Sequence, residues 1–387
     1  MIYQDEITES MHHAVLPTSR RENKSPRNAP KVFHAATLVK TYLPLAVVIF
    51  VAIWLSFAVK AFTTTRGPAF RPQPSATKKN ANLPGPASFA EVITAAVPLQ
   101  KSKTFVKSSD SVVFILTMRP AQMACATMTL LSRNFISTNP ADVFIFSVVA
   151  KERKKHVAAL AACLDPLPRF HLVDMLEHPK DLGWVTPRNV RDRTLWLDEW
   201  SEDVRRMGHW RLTSQFQLAR DLGYIYLLQV DDDSEFPSLV QENLFETMRR
   251  DHLKIAGRGI LPDEYFVTRG LPELARYFLV TEQIEPSTLL FKHCYPPSLD
   301  GLFSSVDGEG NAGWDRASFY GNFVIYSIDF VYEPIVQRFV NLVLQTGAHF
   351  RFRWNEQATM GMVWHMFVRE GEYKVFDFPY RHQDFTG

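Results

Sequence analysis

The chain has 387 residues, 46% of them hydrophobic and 13% aromatic, which is enough for a sizeable core and excludes a chain that is disordered throughout. Its formal net charge of +2 is close to balance and gives no sign of a nucleic-acid-binding surface. The three cysteines, Cys125, Cys163 and Cys294, lie far apart without a Cys-x-x-Cys pair, which argues against a zinc site and against a disulfide-built scaffold. Their spacing leaves open one disulfide with one free thiol.

The amino-terminal region predicts a membrane anchor. Residues 1–40 are polar and have no sustained apolar period, as in a flexible tail. An uncharged apolar run from Tyr42 to Val59 follows, and as a helix it would span about 27 Å, close to the core of a bilayer. The long polar lead and the lack of a small-x-small cleavage site argue against a signal peptide. We therefore expect a cytoplasmic tail over residues 1–40 and one transmembrane helix over residues 41–60.

A proline-rich segment separates this anchor from the rest of the chain. Residues 61–107 carry repeated prolines among small polar residues, a composition typical of an extended stem. Residues 108–387 then form one large globular domain. This layout is typical of a type II membrane protein, in which the large domain is lumenal, although basic residues flank the anchor on both sides and the charge rule alone does not fix the orientation.

The first part of the globular domain alternates between strand and helix patterns. Strand patterns at residues 111–117, 143–149 and 170–174 are separated by helical segments, an order that predicts a parallel α/β sheet flanked by helices. No glycine-rich phosphate-binding motif follows the first strand, which counts against a dinucleotide site or a P-loop. Arg119 stands just past this strand, where it would either meet a phosphate or lie on the solvated surface.

The most informative segment is an apolar strand pattern from Tyr224 to Val230 that runs directly into Asp231-Asp232-Asp233. Ligands of open α/β sheets bind beyond the carboxyl ends of the strands, and two carboxylates one residue apart suit a hard divalent cation together with diphosphate oxygens. Asp231 and Asp233 therefore form a candidate DXD motif for a nucleotide sugar. The alternative is a solvated acidic loop, or an aspartate that caps the next helix.

Several segments carry a family resemblance. The chain reads Gln-Val-Asp-Asp-Asp-Ser-Glu-Phe over 229–236, Gly-Asn-Phe-Val-Ile over 321–325, Phe-Arg-Phe-Arg-Trp-Asn-Glu-Gln over 350–357 and Tyr-Arg-His over 380–382. These segments resemble Arg-Val-Glu-Pro-Asp-Val-x-Phe, Ser-Asn-Phe-Glu-Ile, Phe-Tyr-Glu-Arg-Trp-Gly-Asp-Ala and Tyr-x-His of glycosyltransferase family 15, the fungal Golgi α-1,2-mannosyltransferases. The resemblance covers about Ser111 to the end and is clearer from Arg205 onward.

The resemblance implies a GT-A-like, Rossmann-like domain with a mixed, mostly parallel sheet flanked by helices, preceded by one transmembrane helix and a stem. Carried over by position, Asp231 and His382 would bind a Mn²⁺ that also holds the donor's diphosphate. Asp233 would stand near the same site or the donor ribose, and the segment from Arg353 to Glu356 near the acceptor and sugar pocket. Carboxylate and imidazole suit Mn²⁺, which neutralises charge on a diphosphate leaving group.

One position departs from the family pattern. Val324 stands where the family has the glutamate of Ser-Asn-Phe-Glu-Ile, and a valine cannot act as an acid, a base or a nucleophile. Three explanations follow: another carboxylate, Asp329 or Glu356, takes the catalytic role; transfer proceeds by front-side attack without an enzyme nucleophile; or the chain is a divergent, inactive relative.

These features predict a glycosyltransferase anchored in the Golgi or ER membrane as a single-pass type II protein with a lumenal catalytic domain. It would use Mn²⁺ to transfer mannose from GDP-mannose to a glycan acceptor on protein or lipid, and nucleic acid would not be a partner. Two alternatives stay open: a GT-A transferase that uses another nucleotide sugar, and a non-catalytic glycan-binding relative. A two-carboxylate glycosidase is disfavoured, because no second acidic cluster follows a strand.

Overall fold

The computed structural model describes residues 106–197, 200–304 and 312–382. The predicted tail, the predicted anchor and nearly all of the predicted stem lie outside this part of the chain, so those assignments stay predictions. Among the described residues, no helix is both long enough and apolar enough to cross a bilayer.

A seven-stranded sheet forms the centre of the domain, with two small two-stranded pairs beside it. In chain order the strands are β1 (Ser111–Thr117), β2 (Asp142–Ser147), β3 (Phe170–Asp174), β4 (Tyr226–Asp231), β5 (Ile255–Gly257), β6 (Ile260–Pro262), β7 (Cys294–Tyr295), β8 (Gly313–Trp314), β9 (Ala317–Phe319), β10 (Phe323–Ser327) and β11 (Tyr373–Val375). The large sheet has the order β11-β5-β10-β4-β1-β2-β3. Its pairings are parallel except for those of β10, which is antiparallel to both β4 and β5. The predicted mixed, mostly parallel sheet is confirmed.

Helices lie on both faces of the large sheet. In chain order they are α1 (Ala121–Leu131), α2 (Arg153–Leu164), α3 (Glu202–Leu212), α4 (Ser214–Asp221), α5 (Leu244–Arg250), α6 (Tyr265–Thr268), α7 (Leu271–Thr281), α8 (Thr288–Lys292), α9 (Ile328–Val331), α10 (Pro334–Thr346), α11 (Ala348–Arg351) and α12 (Glu356–Phe367). Helices α1, α2 and α5 pack on one face, and α3, α4, α7, α10 and α12 contribute to the core on the other.

The two cores follow from the alternation of side chains along each strand. In β1, Val112, Phe114 and Leu116 belong to one core, and Val113 and Ile115 belong to the other. All seven residues of β1 are buried. A central strand that is covered on both faces requires such an uninterrupted apolar sequence, and for this reason β1 could be predicted to the residue.

Two element boundaries differ from the sequence patterns. The apolar spacing over residues 204–221 is typical of one amphipathic helix, but the structure divides this segment into α3 and α4 at Thr213, whose φ of −127° and ψ of −80° interrupt the helical backbone. The strand predicted from Tyr224 begins two residues later. Gly223, with φ of 75°, ends α4 in a turn in which the Tyr224 N–H donates to the Ala219 carbonyl at 2.9 Å, so Tyr224 still belongs to the helix end.

One disulfide joins the helices that follow β1 and β2. Cys125 in α1 is bonded to Cys163 in α2, with their Cα atoms 6.0 Å apart, whereas Cys294 is a buried free thiol. This is the arrangement of one bridge and one free thiol that the sequence left open. Disulfides are typical of secreted and lumenal proteins.

The carboxyl end of β4 lies where the sheet changes direction. β4 pairs in parallel with β1 on one side and antiparallel with β10 on the other. Beyond this edge, Glu235 of the acidic loop forms an antiparallel bridge with Arg381. The central strand, the loop that follows it and the last described residues of the chain are therefore adjacent at one edge of the sheet, where α/β folds bind their ligands.

Candidate metal centre

The aspartates after β4 point in alternate directions. Asp232 faces β1, where its Oδ2 accepts a hydrogen bond from the Thr117 hydroxyl at 2.7 Å. Asp231 and Asp233 both face His382 instead. The middle residue thus fixes the loop to the sheet while the outer two share one side, which is the arrangement that a DXD pattern predicts.

The last described residues are held on this loop by backbone and hydroxyl hydrogen bonds. Glu235 and Arg381 exchange two backbone hydrogen bonds, at 2.9 and 3.0 Å. The Tyr380 hydroxyl lies 2.6 Å from the Ser234 hydroxyl and donates to the backbone carbonyl of the residue before β10 at 3.0 Å. These contacts bring His382 against the loop, where 5% of its surface is exposed.

Asp231, Asp233 and His382 form a candidate metal-binding group. His382 Nε2 lies 3.4 Å from Asp231 Oδ2 and 3.1 Å from Asp233 Oδ1, and one ligand atom from each residue lies within 4.8 Å of the others. Two carboxylate oxygens and an imidazole nitrogen suit Mn²⁺ and leave coordination positions for phosphate oxygens. The structure therefore brings together the three predicted residues, although His382 is far from the other two in sequence.

An arginine holds the second oxygen of each outer carboxylate. Arg211 pairs with Asp231 Oδ1, and Arg119 pairs with Asp233 Oδ2. Arg119 also contacts Asp232 Oδ1 at 3.1 Å, and its predicted contact with a donor phosphate stays a prediction. Each outer aspartate keeps one oxygen on a guanidinium and turns the other toward the imidazole, so each presents a single oxygen to an ion.

The charges of this group shift the pKa values of its members. Burial acts to raise the pKa of Asp231, but the charge of Arg211 and the hydrogen bond with His382 outweigh it and hold that pKa at about 2. Burial acts to lower the pKa of His382, and the hydrogen bonds and charges of Asp231 and Asp233 raise it to about 9. At neutral pH and without an ion, Asp231 is ionised and the imidazole is protonated. A metal ion would replace that proton.

Glu356 lies behind the metal-binding group and is connected to it by Arg211. Arg211 Nη1 is 3.1 Å from Glu356 Oε1, and both side chains are only 5% exposed. Gln229 Nε2 lies 3.3 Å from the same oxygen. Glu356 is the first residue of α12, which Asn355 caps by accepting from the N–H of Ala358. This predicted catalytic carboxylate adjoins the site.

The other predicted catalytic carboxylate, Asp329, lies at the opposite end of the sheet. Because β10 is antiparallel to β4, Ser327 pairs with Tyr226 at the start of β4, whereas Asp231 ends that strand. The two ends of β4 are about 17 Å apart at the usual rise per residue. Asp329 follows Ser327 and is exposed. The expectation for Asp329 is corrected on this ground, since the direction of β10 carries it away from the acidic loop.

Val324 supplies no polar group to the site. It is fully buried and pairs with Gln229 on β4 and with Gly257 on β5. Directly opposed residues of a ladder share a face of the sheet, so Val324 and Gln229 lie on the same face. Because Glu356 contacts Gln229, a carboxylate from α12 approaches the face on which the resemblance would place one from β10.

Arg353 and Trp354 lie on the segment before α12. The Arg353 guanidinium is 4.3 Å from the ring centre of Trp200. The backbone φ of Arg353 is 59°, in the left-handed region, which is strained for a non-glycine residue. Trp354 is 5% exposed, and its Nε1 donates to the Arg269 carbonyl at 3.0 Å. Burial raises the pKa of Asp263 to about 6, although the charge of Arg353 acts to lower it. The predicted role of this segment in the acceptor pocket stays a prediction.

Two polar residues of the site escape a sequence pattern alone. Arg211 and Gln215 are buried in a segment whose apolar spacing indicates a core-facing helix. They stand four residues apart, so the available signal was two polar residues at a helical spacing beside the apolar positions of this segment. Tyr380 is a further case, since nothing in its sequence position indicates that its hydroxyl fixes the acidic loop.

Solved structures of other proteins share the fold of this chain. The chain is similar to core-mannan synthase A (CmsA/Ktr4) from Aspergillus fumigatus in its Mn/GDP form, with a TM-score of 0.57 and 16% identity over 74% of this chain and 77% of that one. For the mannosyltransferase Ktr4p from S. cerevisiae the TM-score is 0.58 with 14% identity over 76% and 80%. For Ktr4p in complex with GDP the TM-score is 0.57, with 14% identity over 76% of this chain and 81% of that one. No protein-family model and no curated protein matches the sequence. The expected resemblance is confirmed as a shared fold.

Proposed function

We propose that the chain is a membrane-anchored glycosyltransferase that uses Mn²⁺ to transfer mannose from GDP-mannose to a glycan acceptor on protein or lipid. The observation that carries the proposal is the meeting of Asp231, Asp233 and His382 at the carboxyl end of β4. The fold supports it, because the chain shares that fold with a mannosyltransferase in complex with GDP and with a mannan synthase in a Mn/GDP form.

The residues of the chain divide the chemistry between them. A bound Mn²⁺ would supply a Lewis acid for the diphosphate leaving group. Asp231 and Asp233 each present one oxygen for it, and His382 presents Nε2 after losing its proton. Arg119, with 28% of its side chain exposed, is the cation that reaches the donor phosphates from the rim of the site.

Glu356 is the carboxylate that we assign to the sugar pocket. Arg211 and Gln229 hold its Oε1 from two sides, so the carboxylate is fixed in place and Val324 offers no nucleophile beside it. This arrangement favours front-side transfer, in which the donor phosphate takes the acceptor proton and Glu356 stabilises positive charge that develops on the sugar.

The proposal includes a location. The predicted helix over residues 41–60 would anchor the chain as a type II protein, with residues 108–387 in the lumen of the Golgi or the ER. The disulfide between Cys125 and Cys163 supports an oxidising compartment.

A second candidate is a non-catalytic relative that binds nucleotide sugars or glycans. The observation that favours it is Val324, which is fully buried at the place where the resemblance expects a carboxylate. A transferase that uses another nucleotide sugar is the remaining alternative, because a metal held by carboxylates recognises the diphosphate and not the base.

The test is binding of GDP-mannose and of UDP-sugars by the purified full-length chain, with Mn²⁺ and with a chelator. We expect GDP-mannose to bind with Mn²⁺, and Asp231→Asn to weaken that binding by at least about 10-fold. The matched control is Asp329→Asn, which removes an exposed charge at the far end of the sheet and should change affinity less than about 2-fold.

The outcomes separate the candidates. Metal-dependent binding followed by slow release of GDP supports the transferase. Binding without any turnover supports the non-catalytic relative. A folded chain that binds no nucleotide sugar in either condition contradicts the transferase and leaves a non-catalytic relative that binds glycans.

A further inference from the structure

One buried guanidinium lies between the candidate metal centre and Glu356. Arg211 is 5% exposed and pairs with two carboxylates, Asp231 Oδ1 on one side and Glu356 Oε1 on the other. Glu356 is itself 5% exposed, and Asp231 is 25% exposed. Both carboxylates contact the same buried guanidinium, which compensates their negative charges, so the charges of Asp231 and Glu356 are coupled through Arg211.

A chain of buried amides fixes this arrangement. Gln229 Nε2 contacts Glu356 Oε1 at 3.3 Å, and Gln215 Nε2 donates to Gln229 Oε1 at 3.0 Å. Gln215 Nε2 also lies 2.5 Å from the backbone carbonyl of Arg211, which closes the ring. Gln215 and Gln229 are 0% and 1% exposed. A closed polar network in a core holds its members in one arrangement, which leaves Arg211 little freedom to leave either carboxylate.

On the sheet face that carries Gln229 and Val324, the charged side chains come from helices and not from the strands. Gln229 and Val324 oppose each other on β4 and β10, and neither carries a charge. The Arg–Glu pair of this face comes instead from two helices, Arg211 at the end of α3 and Glu356 at the start of α12. Because Arg211 occupies Asp231 Oδ1, the oxygen that remains for an ion is Oδ2, 3.4 Å from His382 Nε2.

We propose that Arg211 is a positioning residue that makes Asp231 a one-oxygen metal ligand and couples this ligand to Glu356. The inference rests on the proposed function of the site. It has a consequence that a purely structural arginine would not have: a change at Glu356, which is outside the metal-binding group, alters Mn²⁺ affinity through Arg211. When Glu356 loses its charge, the whole charge of Arg211 acts on Asp231 and competes with the ion.

The test is a double-mutant cycle on Mn²⁺ affinity. Free Mn²⁺ is measured by its electron paramagnetic resonance signal in titrations of the purified full-length chain, with Mn²⁺ as the only ligand. The variants are Glu356→Gln, Arg211→Gln and the two together. We expect Glu356→Gln to weaken Mn²⁺ binding by about 3- to 10-fold, and the same change in the Arg211→Gln background to have an effect smaller than about 2-fold.

Further variants cover misfolding and non-specific charge effects. Arg211→Gln removes the cation that two buried carboxylates share, so Arg211→Lys provides a second version of the cycle. A lysine is a point charge without the fork that reaches both partners, and it should also reduce the coupling. The matched control is Arg206→Gln, on the same helix, whose guanidinium pairs with Glu202 and Asp203 instead of a carboxylate of the site. It should leave Mn²⁺ affinity within about 2-fold.

The outcomes separate the inference from the proposed function. If wild type binds Mn²⁺ and Glu356→Gln weakens binding equally in both backgrounds, or not at all, the positioning role of Arg211 is overturned while the metal centre stands. If wild type does not bind Mn²⁺, the metal centre fails and the inference fails with it.

Discussion

Individual residues of the site are organised as pairs of opposite charge. Arg211 pairs with Asp231, and Arg119 pairs with Asp233. The two guanidinium charges therefore compensate the repulsion between the carboxylates of the loop. The sequence could predict Asp231 and Asp233, because a strand followed by spaced carboxylates has a local signature. It predicted His382 through a family resemblance. It could not predict the arginine partners, because their contacts depend on how distant helices pack.

Two histidines outside the metal centre, the half-buried His209 and the buried His349, predict an acid-sensitive fold. The rings of His209 and His349 are 5.1 Å apart. Burial lowers the pKa of His209 to about 4, and burial together with His209 lowers that of His349 to about 3. Both pKa values lie below the ordinary 6.5, so at lower pH the unfolded chain binds more protons than the folded protein. The stability that the two neutral rings contribute is therefore present above pH 6.5 and is lost as the pH falls toward 4. We expect the free energy of unfolding to drop by about 2 to 4 kcal/mol from these two residues between pH 7 and pH 5.

Denaturant unfolding at a series of pH values checks this expectation. His349→Gln should remove about half of the dependence. The matched control, His252→Asn, replaces an exposed histidine with a residue that tolerates its positive φ of 51°, and it should leave the dependence unchanged. A His349→Gln profile that is parallel to wild type would contradict the assignment.

Secondary-structure elements show which parts of the fold are local and which are not. The apolar run of β1 matches its predicted bounds, and α7 coincides with an amphipathic pattern that has proline in its first turn, because both patterns are local. The direction of β10 is not local, since it depends on which neighbours the strand joins. Because β10 is antiparallel to β4, Val324 lies opposite Gln229, and Asp329 lies at the edge of the sheet opposite to the acidic loop.

The opposition of Val324 and Gln229 predicts a coupled pair of substitutions. Val324→Glu buries a second carboxylate near Glu356 and should lower the free energy of unfolding by about 3 to 5 kcal/mol. Adding Gln229→Arg on the facing strand should recover at least about 1 kcal/mol of that loss. Val324→Ile is the control and should cost less than about 1.5 kcal/mol. Denaturant unfolding measures all of these, and strictly additive effects would show that the two side chains do not meet.

At the scale of the whole molecule, the sequence indicated the fold of the globular domain, and the structure confirms that fold. The layout of tail, anchor and stem rests on the sequence alone. The order of strands and helices and the resemblance from residue 111 onward predicted a mixed α/β sheet, which the structure has. The bridge between Cys125 and Cys163 could not be predicted, because three cysteines allow three pairings and only the packing of α1 on α2 selects one.

The disulfide gives a prediction for the full-length chain. When the chain is made in the secretory pathway and denatured without reductant, we expect an alkylating reagent to label one of the three cysteines, Cys294, and to label all three after reduction. Mass spectrometry identifies the labelled peptides. Cys163→Ser should free Cys125 for labelling. Labelling of all three residues without reductant would argue against both the bridge and an oxidising compartment.

The central claim is that His382 and the acidic loop bind one metal ion. Pulsed electron paramagnetic resonance of Mn²⁺ on the full-length chain with GDP tests it most directly, because an imidazole ligand gives a nitrogen modulation that carboxylates and phosphates do not. We expect this nitrogen signal in wild type and in His252→Asn, and we expect it to be lost in His382→Gln. A nitrogen signal that persists in His382→Gln, or that is absent from a Mn²⁺-loaded wild type, would contradict the account.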